Sequence, residues 1–188
     1  METEQKQKMV NGVNVDQLFS TIDLIKQNPE VAKFKFRATN KWIDGTHSQA
    51  TVKGFYGALK EDTSRQPAVF DMDEPPVLLG SNQGSNPVEY LLVALSGCIT
   101  TSIVAHSSAK GIKIRSIESM YEGDIDLHGF LGLSDEVPVG YQKIRLFFKI
   151  DADVSNQEKE EMLQMGQKYS PVFNTITKST PVSVHLES

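Results

Sequence analysis

One cysteine, Cys98, stands in 188 residues. That count excludes a disulfide within the chain and a multi-cysteine zinc site, and it fits a reducing compartment. A basic surplus is missing too: 19 Lys and Arg against 24 Asp and Glu leave a net charge of −5. Without a cationic footprint to release counterions, nucleic acid and anionic membrane are excluded as partners. The opening METEQKQKMVNGVNVDQLF has no apolar h-region and no small-residue cleavage site, so the expected compartment is the cytoplasm. The longest uncharged run, Tyr90 to Ala109, carries Thr100, Thr101, Ser102, His106, Ser107 and Ser108 in its second half. A membrane span wants about 20 predominantly apolar residues, so a core helix of a soluble domain is expected instead.

The nucleotide and hydrolase signatures are absent as well. There is no G-x-G-x-x-G and no G-x-S-x-G, and the segment from Gly80 to Gly84 lacks the lysine of a P-loop. The run from Asp151 to Ser155 begins like a calcium loop but has Asn156 at the turn position and Met162 in place of the closing glutamate. His47, His106, His128 and His185 show no i, i+4 pairing. No metal and no cofactor is therefore expected.

What is present reads as one domain with an appendage. Residues 1–30 are expected to form a polar tail, over 1–12, and a surface helix capped by Asn14 and Gln17, with Leu18, Phe19, Ile22 and Ile25 on one face. Residues 31–188 make the domain. The runs 34–43 and 48–57 flank Asp44-Gly45 and read as a hairpin. A polar connection (58–66) leads to a strand at 68–73. Asn86, Pro87 and Glu89 have the residue types of a helix start, and Gly111 suits its end. Strands at 112–127 and 141–151 follow, joined by a Gly-rich link. Ser155 and Glu158 then open a helix to Tyr169, Ser170-Pro171 breaks it, and 181–187 is a last strand.

Grouped antiparallel strands with a few helices indicate an α+β fold. The helix from Pro87 presents Leu91, Leu92, Val93, Leu95, Ile99, Ile103 and Val104 around most of its circumference. A helix apolar nearly all round must be surrounded, and one small sheet covers one side only. A second copy of the chain, a homodimer, is the economical cover.

Cys98 is the only soft nucleophile. Its residue type is equally that of a small buried hydrophobe, inert if its surroundings are apolar; Gly97 before it permits close approach of a backbone or a substrate. The stretch NPVEYLLVALSGCITTSIVAHSSAKGI, with KWIDGTHSQATVKGF and SPVFNTITKSTPVSV, resembles the OsmC/Ohr family of osmotic and organic-peroxide stress proteins over about residues 34–186. The resemblance implies antiparallel sheets wrapped around a buried central helix in an intertwined homodimer. It also implies thiol peroxidase chemistry on organic hydroperoxides, with Cys98 as the peroxidatic residue.

The family's other site residues carry over unevenly. His47 falls where the family has an arginine, Val88 where it has a glutamate with Glu89 one place later, and Ser170 where it has the resolving cysteine. His47 is thereby a candidate polarising neighbour of Cys98, Ser170 a hydrogen-bond neighbour, and an external thiol must do the resolving. Glu89 is nine residues from Cys98, about 900° of helical rotation, so the two point to opposite faces. It is either a catalytic carboxylate toward a partner's cysteine or only a helix cap. The competing reading is a member that has lost catalysis and binds a small apolar ligand or senses oxidation.

Overall fold

The computed structural model describes residues 7–187. In chain order its elements are β1 (Met9–Val10), β2 (Val13–Asn14), α1 (Val15–Gln27), β3 (Ala38–Asp44), β4 (His47–Val52), β5 (Phe55–Gly57), β6 (Lys60–Asp62) and β7 (Ala68–Met72). There follow α2 (Pro87–Ala109), β8 (Ile114–Asp124), α3 (Leu127–Phe130), β9 (Lys143–Ala152), α4 (Asn156–Tyr169) and α5 (Pro171–Thr177). The class is α+β, and the paired strands β3–β4, β4–β7, β5–β6 and β8–β9 are antiparallel. Two compact units form along the chain. One holds Asn14–Leu91 and the stretch up to Lys8; the other holds Met9–Val13 and the chain from Leu92 on.

The first unit is built on a three-stranded sheet in the order β3-β4-β7. Asp44-Gly45 makes the expected turn, with Gly45 at φ 52° and the Asp44 carboxylate accepting from its N–H. Register places Asn40, Ala50 and Phe70 on one face and Lys41, Gln49 and Asp71 on the other. The apolar face meets α2 at its first turns, where the Tyr90 ring packs edge-on against Phe70 at 6.0 Å and the Tyr90 hydroxyl donates to the Asp71 carbonyl. Apart from Val15, however, this unit has no buried apolar side chain among the described residues. Helix α1 forms as expected, with Asn14 accepting from the Gln17 N–H. Phe19 and Ile22 on its apolar face are exposed.

Asp73 organises the loop into α2. It is buried, and its two oxygens accept from the Thr46 hydroxyl and from the N–H groups of Glu74, Ser81 and Gln83. These donors hold its carboxyl well below the usual range. At the helix start Asn86 accepts from the Val88 N–H at 2.9 Å, while the Glu89 carboxylate accepts from the Asn86 N–H at 2.9 Å. The two bonds form a reciprocal cap.

The second unit carries the hydrophobic core. Leu95, Ile99 and Ile103, four residues apart on α2, meet Ala152 and Met162, with Ile117, Leu146, Phe148 and Ile150 of the β8–β9 pair packed around them. Gly166 lets α4 approach α2 closely, since a Cβ there would lie 2.4 Å from the Ile103 side chain. Ser155 and Glu158 form the expected capping box.

Several expectations are corrected. Residues 1–6 of the expected tail lie outside the described residues, and 9–14 form the tight β1–β2 hairpin through Asn11 and Gly12 at positive φ. The strand expected from 34 starts at Ala38; before it, only Lys35 bridges to Tyr56. The strand expected over 48–57 breaks at Gly54, where a Cβ would meet the Asp62 carbonyl at 2.5 Å, and the expected connection contains β6. Residues 181–187 form no strand, and Val182, Val184 and Leu186 lie exposed, because within the chain the segment pairs with no sheet edge. Within the chain α2 is covered on one side only, as expected of a single copy: Val93 is 60 % exposed, and Leu91, Ala94, Gly97 and Thr101 are exposed with it.

Two predictions follow from local geometry. The β5–β6 turn places Ala58 and Leu59 at φ 50° and 65°, a conformation that Asn and Gly adopt at lower cost. Ala58→Asn with Leu59→Gly should raise the unfolding free energy by about 1 kcal/mol in a urea titration. The folded-state pKa of Asp73 is depressed, so its stabilisation is complete above the ordinary Asp range and is lost as pH falls through and below about 4. Asp73→Asn should lower the thermal midpoint at neutral pH and flatten the acid limb of a stability-against-pH curve.

Candidate functional site

Cys98 sits midway along α2, half-buried. At 100° per residue, Ala94 and Ser102 stand about 40° to either side of it. Ala94 belongs to the bare stripe and Ser102 is buried, so the sulfur marks the border between the covered and uncovered faces of the helix.

On the covered side α2 meets the corner between α4 and α5. The Ser102 hydroxyl donates to the Tyr169 carbonyl at 3.2 Å, and one turn earlier the Val172 N–H donates to Cys98 Sγ at 3.5 Å. The sequence builds this corner locally. Ser170 is fully buried and caps α5, its hydroxyl oxygen accepting from the Phe173 N–H at 3.1 Å, and Pro171 takes the first helical position. Asn174 ties the corner by donating to the carbonyls of Gln167, Lys168 and Ser170. The N–H groups of a first helical turn have no partner within their helix, and Val172 turns one of them onto the sulfur.

An open cavity of about 250 Å³ is lined by Leu95, Tyr141, Ile144, Leu146, Phe173, Ile176 and Thr177, and neither Cys98 nor Val172 is in that lining. Leu95 precedes Cys98 by one helical turn, and Phe173 follows the amide that reaches the sulfur. The lining is largely apolar. Further along α2 the His106 ring stacks on Tyr169 at 4.2 Å, and burial, then the Lys110 charge, push its pKa below the usual imidazole value.

Of the other residues singled out by sequence, His47 and Glu89 lie in the first unit and Ser170 in the second. His47 Nε2 bonds the Asp71 carboxylate at 2.9 Å, and the Gln49 amide donates to the same oxygen at 3.1 Å. These bonds hold the Asp71 carboxyl below its ordinary pKa, so the ionised group accepts and His47 Nε2 carries the hydrogen. The pair stands on the sheet face opposite the one on which Tyr90 packs. Glu89 serves as the carboxylate of the α2 cap. Ser170, expected as a hydrogen-bond neighbour of the thiol, spends its hydroxyl on Phe173 instead, and the donor at the sulfur is the Val172 backbone. The Ser-Pro pair carried the signal for that donor, because a serine cap followed by proline announces free amides immediately after it. Among the described residues no three His, Cys, Asp or Glu side chains are grouped to hold a metal ion.

Residues 80–185, more than half of the chain, match the family model described as OsmC-like protein. No curated protein matches the sequence. Among solved structures, an OsmC-like protein from Mycoplasma pneumoniae is similar at 19 % identity, covering 76 % of this chain and 87 % of its own, with a TM-score of 0.58. An OsmC-like protein of unknown function from Vibrio cholerae is similar at 11 % identity over 75 % and 92 % of the two chains, TM-score 0.57. An organic hydroperoxide resistance protein from Legionella pneumophila is similar at 15 % identity over 76 % and 88 %, TM-score 0.53.

Removing the Ser170 cap should loosen the turn that presents the Val172 amide. Ser170→Ala is expected to cost about 1 kcal/mol of unfolding free energy and to strip the Phe173 amide of protection in hydrogen exchange.

Proposed function

The chain belongs to the OsmC-like protein family, and from that premise we propose that it reduces organic hydroperoxides with Cys98 as its only redox-active group. The observation that carries the reading is the Val172 N–H on a half-buried Cys98 Sγ, beside an apolar cavity. The amide fixes the position of the sulfur, and partial exposure leaves it reachable. The family name of the Legionella protein supports the substrate class.

In this reading the Cys98 thiolate attacks one oxygen of the peroxide. The O–O bond breaks, the sulfur loses two electrons and becomes a sulfenic acid, and the alkoxide leaves and takes a proton from water. The sequence has no second cysteine, so an external thiol condenses with the sulfenic acid and releases water. A further equivalent of that thiol breaks the mixed disulfide and restores Cys98. This need for thiol agrees with a cytoplasmic setting. The apolar lining around Leu95 and Phe173 favours an alkyl or aryl hydroperoxide over hydrogen peroxide. His47 and Glu89 are committed to Asp71 and Asn86, so we assign the support of charge at Sγ to the Val172 amide rather than to either side chain.

A second copy of the chain completes the assembly in this reading. It covers the bare stripe of α2, the exposed sheet of the first unit and the segment that carries Val182, Val184 and Leu186. The competing reading, a member that binds a small apolar ligand without chemistry, is favoured by one observation: among the described residues no cationic side chain is bonded to the sulfur.

Turnover of cumene hydroperoxide with a dithiol reductant separates the two. The wild type should turn over and give a sulfenic acid in mass spectra after one equivalent of peroxide, and Cys98→Ser should do neither. Unchanged turnover in that variant contradicts the proposal. Saturable binding of the hydroperoxide with no oxidation of the wild type supports the binder.

A further inference from the structure

A cavity of about 350 Å³ lies on the polar side of the sheet of the first unit and has no part in the peroxide chemistry. Its lining includes Thr39 and Thr51, which stand directly opposite each other on β3 and β4. Ala38 pairs with Val52, and Arg37 and Lys53 follow at the next positions outward, so two cations flank the mouth beyond two hydroxyls. Gly54 lets the β5–β6 hairpin close the far side, from which Glu61 and Thr63 complete the lining.

The charges do not cancel. Glu61 is the only carboxylate of the lining, and both its oxygens are held by the Arg37 fork, at 2.8 and 2.9 Å. The neighbouring Asp62 carboxylate is committed to the Ser64 N–H and hydroxyl. Lys53 has no ion pair, and the hydroxyls of Thr39, Thr51 and Thr63 have no hydrogen-bond partner, among the described residues. A cation, three unused hydroxyls and a guanidinium fixed by its carboxylate thus converge on one cavity in a chain whose overall charge is −5. A fixed guanidinium with N–H groups to spare is a preorganised oxyanion donor.

We propose that this cavity binds the phosphate group of a small molecule, with the Lys53 ammonium and the outer N–H groups of Arg37 neutralising it and the threonine hydroxyls donating to its oxygens. A tetrahedral oxyanion uses donors from several directions, which the two strands and the hairpin supply. The volume leaves room for a small organic body beside the phosphate.

Amide NMR spectra of the full chain titrated with inorganic phosphate test the site, with a phosphate monoester and acetate in parallel. The amides of Thr39, Thr51, Lys53 and Thr63 should shift saturably with phosphate and little with acetate. Lys53→Ala should weaken binding about tenfold, the loss of one charge-assisted contact, with the rest of the spectrum unchanged. Thr51→Val, which keeps the shape and removes a donor, should weaken it by a smaller factor. Tighter binding of the ester identifies a phosphorylated metabolite as the ligand; equal binding identifies phosphate itself. Shifts that do not saturate, that scatter over the surface lysines, that acetate reproduces, or that persist in both variants would overturn the assignment.

Discussion

Helix α2 offers more apolar surface than its own chain covers. Leu95, Ile99 and Ile103 are buried against β8, β9 and α4, while Leu91 and Val93 and the small residues Ala94 and Gly97 face outward. Full burial of an aliphatic side chain of this size stabilises by about 1.5–3 kcal/mol, and the stripe, with Leu91 and Val93 partly exposed, forgoes an amount of that order. Cys98 lies on the line between the two faces. A thiol deeper in the covered face would be sealed in hydrocarbon and inert, and one on the bare face would lack the Val172 donor.

The first unit poses the same constraint differently. Its sheet is apolar on one face, through Ala50 and Phe70, and polar on the other, through Lys41, Gln49 and Asp71. Among its described residues Val15 is the one buried apolar side chain. What keeps it ordered is polar: the Asp73 hub, the His47–Asp71–Gln49 cluster and the Arg37–Glu61 fork. Hydrogen bonds of this kind specify geometry but contribute little net stability beside apolar burial. The apolar face is therefore where the proposed second copy has most to stabilise, and the polar face is where a small ligand finds donors.

Much of the fold was legible because local chemistry decides local structure. Asn14, Asn86 and Ser155 cap the helices they precede, Asp44-Gly45 turns the hairpin, and Gly111 takes the left-handed position after α2. The failures are of another kind. Alternation at Phe34 and Phe36 promised a strand, yet from an irregular segment the Phe34 ring stacks on Phe55 and the Phe36 ring lies tilted against it. Alternation over 181–187 likewise needs an edge that the sequence cannot locate. Cys98 could be found by elimination, being the only thiol. Its donor is a backbone N–H: Ser170-Pro171 announces free amides, but not that one of them meets the sulfur, and the bonds of His47 and Glu89 depend on which strand or turn lies beside them.

Sedimentation equilibrium of the intact protein at micromolar concentration tests the central claim most directly, because it asks whether the uncovered face of α2 is a contact surface. The account predicts a mass twice that of the chain, and conversion to a single-chain species when Gly97, in the middle of that face, is replaced by glutamate. A wild-type protein that remains a folded single chain would contradict it.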